Sequence, residues 1–392
     1  MKSNYRALSE LIEKVDERND DGAITELIGV SIDKCFIKSV ANTNGTDLSK
    51  YKIIRKNEFA VSLMQVSRDS KIPVARLEDY EVAIMSPAYP IFRVKDTRKI
   101  LPEYLDMWFK RPEFDREAAF IAVGGVRGSM PWEEFVKMKL PVPTIEKQFE
   151  IVNSYKAITE RIALKQKIND NLDEQLKILF KSWFVDFEPF KNSLVQSASG
   201  NYIPIDWIET TLGEYVSYAQ GTQVPVEEQY STATDKRVRF LRIVDYTGNT
   251  SDEPRYIDVK PKNSVCSPEE ILIIRYGASA GQICRGLAGV FANNLFSITP
   301  SYPISNSYLY YLLNQPTVQS FITSVGETSS AMPALTHGLI SSIPITLPNN
   351  TELLDKFKRT ADVAFSQQML NNDEMAKLKV LRDSLLAKLS SR

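Results

Sequence analysis

The chain has 392 residues and a mass of 44.4 kDa, with 43% hydrophobic and 25% charged residues. At about 150 residues per domain this predicts two to three domains with real cores, and it excludes a disordered, collagenous or disulfide-stapled protein. Its 48 basic and 49 acidic residues leave a net charge of −1, so no strong overall field advertises a nucleic-acid or membrane partner. Cys35, Cys266 and Cys284 are scattered and His337 is the single histidine. A finger-like zinc site is therefore excluded, and any Ser-His-Asp or Cys-His hydrolase would rest on one imidazole. Such cysteines suit a reducing compartment as small buried hydrophobes. No apolar leader opens the chain, and no stretch approaches the roughly 18 uncharged apolar residues of a membrane span. The expectation is a cytoplasmic protein with no membrane partner.

In chain order, 58–64 reads as a strand, and Ser86-Pro87-Ala88-Tyr89 as a turn feeding another. That turn lacks the second proline and the amide or carboxylate with which amino-methyltransferases hold a flipped base. A helix is expected around 103–110, stopped near Pro112. The glycines at 124–128 have no lysine and no preceding strand, so they make no phosphate loop. A long helix is expected over 144–187, with Thr144 as its N-cap and Pro189 forbidding continuation. The small, polar run 192–200 reads as a linker. Strands follow at 238–244 and 271–274, and a helix around 307–314 stops near Pro316. Gly277-Ala278-Ser279-Ala280-Gly281-Gln282 follows a strand but lacks the Lys-Ser/Thr pair of a phosphate loop. Asp258-Val259-Lys260 is half of a metal-nuclease pattern with no upstream acid to complete it. His337 reads as a structural histidine. A second long helix is expected over 350–390.

These elements repeat at an offset of about 200 residues. The run 102–109 followed by Arg111-Pro112 is matched by 306–313 followed by Gln315-Pro316. Val123-Gly124 and Met130-Pro131 are matched by Val325-Gly326 and Met332-Pro333, and Leu140-Pro141-Val142 by Ile343-Pro344-Ile345. The chain reads as two copies of one unit, each closed by a long helix. Spacings of four and three along each helix make a heptad seam. In the first it carries Ile158, Ile162, Asn169, Leu172, Leu176 and Leu179; in the second, Phe357, Ala364, Met375, Leu378 and Leu385. Both seams are polar near the middle, at Lys165 and Asn169 and at Gln368 and Asn371. Mutual pairing is expected, because neither seam has another obvious partner. At 1.5 Å per residue a helix of roughly 40 residues spans about 60 Å, a spacer as well as a clamp.

Three runs carry a family resemblance: Leu179-Phe180-Lys181-Ser182-Trp183-Phe184-Val185-Asp186-Phe187-Glu188-Pro189, then Ile203-Pro204-Ile205-Asp206-Trp207 with Leu212-Gly213-Glu214, and Leu140-Pro141-Val142-Pro143 with Glu146-Lys147-Gln148. With the tandem architecture, they resemble the specificity subunit (HsdS) of type I restriction-modification systems over essentially the whole chain. The run 344–352 is looser than its first-copy counterpart. The resemblance implies an α+β fold: two tandem β-rich target-recognition domains, separated and joined by two long antiparallel coiled-coil helices. The corresponding divisions are 1–143, 144–190, 191–348 and 349–392, with net charges of about +1, −1, −3 and +2. It further implies a non-catalytic subunit without cofactor or metal. Each β-rich domain would read half of a split target in double-stranded DNA. Two modification subunits would dock on the helices and supply S-adenosylmethionine binding and adenine methylation, with motor-nuclease subunits joining for cleavage.

Reading bases needs directional donors and acceptors. The DNA-binding candidates are Gln65, Arg68 and Arg127 in the first copy. In the second they are Arg275, Tyr276 and Ser279 at the matching strand-loop, with Thr328, Ser329 and Ser330. Only local basic patches are available, so weak DNA binding by the isolated chain is expected. The competing readings are a coiled-coil scaffold that binds no DNA, and an enzyme with an unfamiliar site.

Overall fold

The computed structural model describes residues 4–39, 47–64, 66–123, 128–248, 253–258, 260, 264–326 and 335–389. The chain is mixed helix and strand, and it divides into two compact units. Residues 1–164 with 374–392 form one, and 165–373 the other. Among the described residues, no helix is long and apolar enough to cross a membrane.

In the first unit, Tyr5–Ala7 pairs antiparallel with Lys139–Pro141 and closes the β-rich part. A four-stranded antiparallel sheet runs Ile12–Val15, Ile91–Val94, Phe59–Val61, Val74–Arg76. Its apolar face carries Phe59 and Phe92, stacked at 5.2 Å, against which Phe109 sets its edge. Helices Pro102–Phe109, Pro112–Ala122 and Trp132–Phe135 cover that face. In the second unit, Trp207–Thr211 pairs with Pro344–Pro348. The sheet there runs Val216–Gln220, Leu295–Pro300, Ile271–Ile274, Ile283–Cys284, again all antiparallel. Helices Asn306–Leu313, Pro316–Gly326 and His337–Ser341 follow in the same places. Strand order and helix sequence thus repeat between the copies. The peripheral strands differ. The first unit adds the pairs Ile28–Val30 with Phe36–Lys38 and Lys52–Arg55 with Val82–Met85. The second adds a sheet ordered Arg255–Asp258, Arg237–Leu241, Gly289–Phe291, Val265–Cys266, with one parallel contact.

Several local expectations are corrected. Pro112 and Pro316 do not simply stop a helix; each opens the next one, where the missing N–H is no loss and the fixed φ suits the first turn. The presumed linker carries Leu194–Gln196, which pairs with Tyr202–Pro204 around the Ser197–Gly200 turn. The strand expected over 238–244 ends at Leu241, because the Asp245 carboxylate accepts from the Arg242 N–H at 2.8 Å and turns Ile243–Asp245 into a 3-10 helix. The strand expected over 58–64 is Phe59–Val61. Cys35 is exposed, sharing a hydrogen bond with the Ser31 hydroxyl, whereas Cys266 and Cys284 are buried. Ser86-Pro87-Ala88-Tyr89 is the turn between two strands, as its sequence indicates.

The two long helices are Ile145–Phe184 and Glu352–Lys388. Thr144 Oγ1 accepts from the Lys147 N–H at 3.4 Å. Gln148 anchors the first helix from a fully buried position. Its oxygen accepts from the Leu101 N–H, and its amide donates to the Lys99 and Pro143 carbonyls, all at 2.9 Å. Beyond the helix, Phe187 turns the chain with φ of 53° just before Pro189.

Within the first unit, Val152 and Tyr155 share a core with Leu385, Leu386 and Leu389, and Arg161 Nε donates to Glu374 at 2.5 Å. Within the second, Leu176, Phe180 and Phe184 share a core with Leu354, Phe357, Ala361 and Ala364. Within each unit taken by itself, rising residue numbers along one helix meet falling numbers along the other. Ile158, Ile162, Leu172, Leu179, Leu378 and Leu385 are half-buried; Asn169, Leu176, Phe357, Ala364 and Met375 are buried. Asn371 Nδ2 donates to Asn169 Oδ1 at 2.7 Å, Asn169 Nδ2 to Asn372 Oδ1 at 2.9 Å, and Gln368 Nε2 to the Asn169 carbonyl at 3.0 Å. Lys165 Nζ reaches Asn371 Oδ1 at 2.9 Å.

Leaving one buried partner unpaired costs more than removing both. Asn169→Leu is therefore expected to cost about 1–3 kcal/mol, and adding Asn371→Leu should return part of it. A denaturant-unfolding cycle in which the two costs simply add would contradict this account.

Candidate nucleic-acid interface

The second sheet's strand order carries four distant residues to one end. Gln220 closes its strand opposite Phe296, and Ile274 closes its strand opposite Leu295. Arg275 therefore emerges beside Asn293 and Asn294, which precede the middle strand. Gly221 permits the crowding: a Cβ there would lie 2.0 Å from the Ala292 carbonyl oxygen. The Arg275 N–H donates to the Asn294 carbonyl at 2.9 Å, and the Arg275 carbonyl accepts from the Leu335 N–H at 3.1 Å. That second bond brings up the helix that begins at His337.

The side chains follow. Arg275 Nη1 donates to Gln220 Oε1 at 3.0 Å, Gln220 Nε2 donates to the Asn293 carbonyl at 2.7 Å, and the guanidinium lies 5.1 Å from the Tyr276 ring centroid. His337 stacks on Tyr218 at 4.4 Å and meets Phe296 at 4.7 Å. Burial, then the Arg275 charge, holds the His337 imidazole below its ordinary pKa. Ser279 is half-buried in the turn where Gly277 and Gly281 take φ of 86° and 88°, values that an L side chain resists.

His337 has a pH consequence. The folded state binds its proton less readily than the unfolded chain, so this contribution to stability is complete above about pH 6.5 and is lost as pH falls below it. His337→Phe is expected to lessen the drop in the second unit's melting temperature between pH 7.5 and 5.5. An unchanged drop would dismiss the assignment.

The first unit has the equivalent junction, where the Leu63 carbonyl accepts from the Met130 N–H at 2.8 Å. Arg68 lies nearby in the helix Val66–Asp69, exposed and paired with its neighbour Asp69 at 2.8 Å. At the end of strand Ile12–Val15, Lys52 Nζ lies 3.3 Å from Asp16 and from the Tyr89 carbonyl, and Arg18 donates to the Lys50 carbonyl at 2.9 Å. Gln65, Arg127, Thr328, Ser329 and Ser330 lie outside the described residues. The structure thus brings Arg275 and Tyr276 together with Gln220, Asn294 and His337, which sequence reasoning missed or set aside. The missed signal was Tyr218-Ala219-Gln220-Gly221, a polar end to a strand before an obligatory glycine.

The two buried cysteines offer no ready nucleophile. Burial pushes the Cys266 and Cys284 thiols up to about 11 and about 12, far from the thiolate form. Lys260 pairs with Glu228 at 2.6 Å and Asp258 faces Arg237 at 3.4 Å, so the 258–260 triplet does not gather acids. Among the described residues, no three His, Cys, Asp or Glu side chains converge as a metal site would need.

No protein-family model matches the chain. The MjaIX type I restriction enzyme specificity subunit of Methanocaldococcus jannaschii is 25% identical over 300 residues, covering 74% of this chain and 68% of that protein. The HindI type I restriction enzyme specificity subunit of Haemophilus influenzae is 21% identical over 355 residues, covering 74% of this chain and 77% of that one. This chain is similar to type I specificity subunits over about three quarters of its length. The crystal structure of the S subunit of the type I restriction-modification system from M. genitalium has the same fold. It superposes with a TM-score of 0.65 and 18% identity over 99% of this chain and 96% of that one. The resemblance seen in the sequence and the repeated architecture therefore agree.

Proposed function

We propose that this chain is the DNA sequence-recognition subunit of a type I restriction-modification complex. The observation that carries the proposal is one sheet-and-helix scaffold built twice, with different side chains at the matching strand ends. A repeated scaffold with unlike tips suits two unlike half-sites, and the specificity-subunit relatives supply the class of target. On this reading the recognition domains are 1–143 and 191–348. The segments 144–190 and 349–392 pair as an antiparallel coiled coil through Ile158, Ile162, Asn169, Leu172, Leu176 and Leu179 on one side and Phe357, Ala364, Met375, Leu378 and Leu385 on the other.

The coiled coil sets the half-site spacing, on the order of one DNA turn or about 10 base pairs, and docks two modification subunits. Those subunits bind S-adenosylmethionine and methylate adenine; motor-nuclease restriction subunits complete the assembly that cleaves. This chain contributes recognition and no catalysis. With a net charge of −1 it cannot by itself release many counterions, so it binds random duplex weakly until its partners complete a basic channel.

The test is co-expression with a modification subunit followed by mapping of methylated adenines. A split motif is expected, and exchanging 205–348 for a relative's segment should change one half alone. Assembly without sequence-dependent methylation would favour the scaffold.

A further inference from the structure

Three buried polar atoms at one end of the second unit's sheet have no hydrogen-bond partner among the described residues: Arg275 Nε, Asn294 Oδ1 and His337 Nε2. Folded proteins leave few such atoms, because each has given up water for nothing. Here they are neighbours. Arg275 and Asn294 are joined through the backbone at 2.9 Å, and the His337 ring packs on Tyr218 and Phe296, two residues before Gln220 and two after Asn294. Among the described residues, the guanidinium is held by one side-chain hydrogen bond, to Gln220 Oε1 at 3.0 Å. Gln220 is itself exposed, and its amide is oriented by the bond from Nε2 to the Asn293 carbonyl at 2.7 Å. An arginine with unused donors, aimed by an amide, gains by turning outward to a ligand that accepts two hydrogen bonds.

We propose that Arg275, oriented by Gln220, reads the guanine of a G·C pair in the second half-site, with Asn294 Oδ1 as the acceptor for the free N4–H of the paired cytosine. The proposal rests on the DNA-recognition reading above and adds the base. Guanine presents O6 and N7 in the major groove, two acceptors that match the guanidinium fork, and cytosine presents an N4 donor beside them. Phosphate is the competing ligand for the same cluster. It would take the arginine, but it carries no sequence information, so a selected base at this position tells the two apart.

The experiment uses the chain assembled with its modification subunits and a duplex pool randomised in the second half-site, with the bound fraction sequenced. The wild-type complex is expected to select G·C at one position. Arg275→Ala and Gln220→Ala should each weaken that preference, by up to about 5–150-fold, leaving the other positions and the first half-site unchanged. A uniform loss of affinity with the preference intact overturns the proposal, because that is how a phosphate contact behaves. So does a wild-type second half-site without a selected G·C. If Arg275→Ala fails to assemble, the exposed Gln220→Ala variant decides, and an unchanged preference there overturns the proposal. A wild-type complex that selects no sequence in either half-site strikes instead at the DNA-recognition reading.

Discussion

Replacing Asp115 by alanine is expected to destabilise the first unit by about 3–5 kcal/mol, the cost of leaving a buried charge alone. Lys34 lies in the turn between Ile28–Val30 and Phe36–Lys38 with φ of 61°, a backbone conformation that lysine adopts rarely. Its ammonium is buried, 2.8 Å from Asp115, and it also donates to the Phe109 carbonyl. Asp115 accepts a second hydrogen bond from the Ile72 N–H at 3.0 Å. One carboxylate in the first turn of Pro112–Ala122 therefore ties a peripheral hairpin and a strand entry to the helical layer. Burial already lowers the Lys34 pKa, and Asp115 opposes that shift.

Without Asp115 the folded-state pKa falls further, so the folded state binds the proton still less readily than the unfolded chain. The sign follows: the variant regains stability as pH rises toward the ordinary lysine value of about 10.4, and its deficit against wild type narrows. Urea unfolding at pH 7 and pH 9.5 measures both effects. Lys38→Ala, which removes an exposed pair with Glu26, is the control and should fall within about 0.5 kcal/mol of wild type. A similar small change for Asp115→Ala would refute the account.

Phe180→Ala should cost the second unit a further figure of the same size, about 3–5 kcal/mol, from lost transfer energy and the cavity left behind. Phe180 is fully buried, with ring centroids 5.1 Å from Phe184, 5.1 Å from Tyr308 and 5.5 Å from Phe357. Both long helices and the helix Asn306–Leu313 meet in that cluster. Ile178, two residues away, is exposed on the same helix, and Ile178→Ala should change little. Equal losses at 178 and 180 in denaturant unfolding would argue against the packing described. The pattern also explains the run at 179–189 that carries the family resemblance. Phe184 and Phe187 pack on Trp207 at 6.1 and 5.2 Å, so the aromatic residues of that run belong to the core or pack against it.

Periodicity made the long helices legible, because spacings of three and four mark one helical face whatever lies opposite. The repeat was legible too, since Pro112 and Pro316 or Pro141 and Pro344 hold matching places in the order of the chain. Pro112 and Pro316 misled only in role: proline reads as a stop until the next helix is seen to start on it. The Leu194–Gln196 hairpin escaped notice because serine and glycine around a short strand look the same as a linker.

From the sequence alone, this protein's repeated words, its two long helices and its family resemblance could be read, all carried by local spacing and by the order of short words. Tertiary structure alone decided which polar groups share a surface. Gln220, Arg275, Asn294 and His337 are separated by long stretches of chain, and they meet because the strand ending at Gln220 and the strand ending at Ile274 flank the strand that begins at Leu295. The Lys34–Asp115 pair is of the same kind. Strand order and burial are properties of the packed chain, and no window of neighbouring residues contains them.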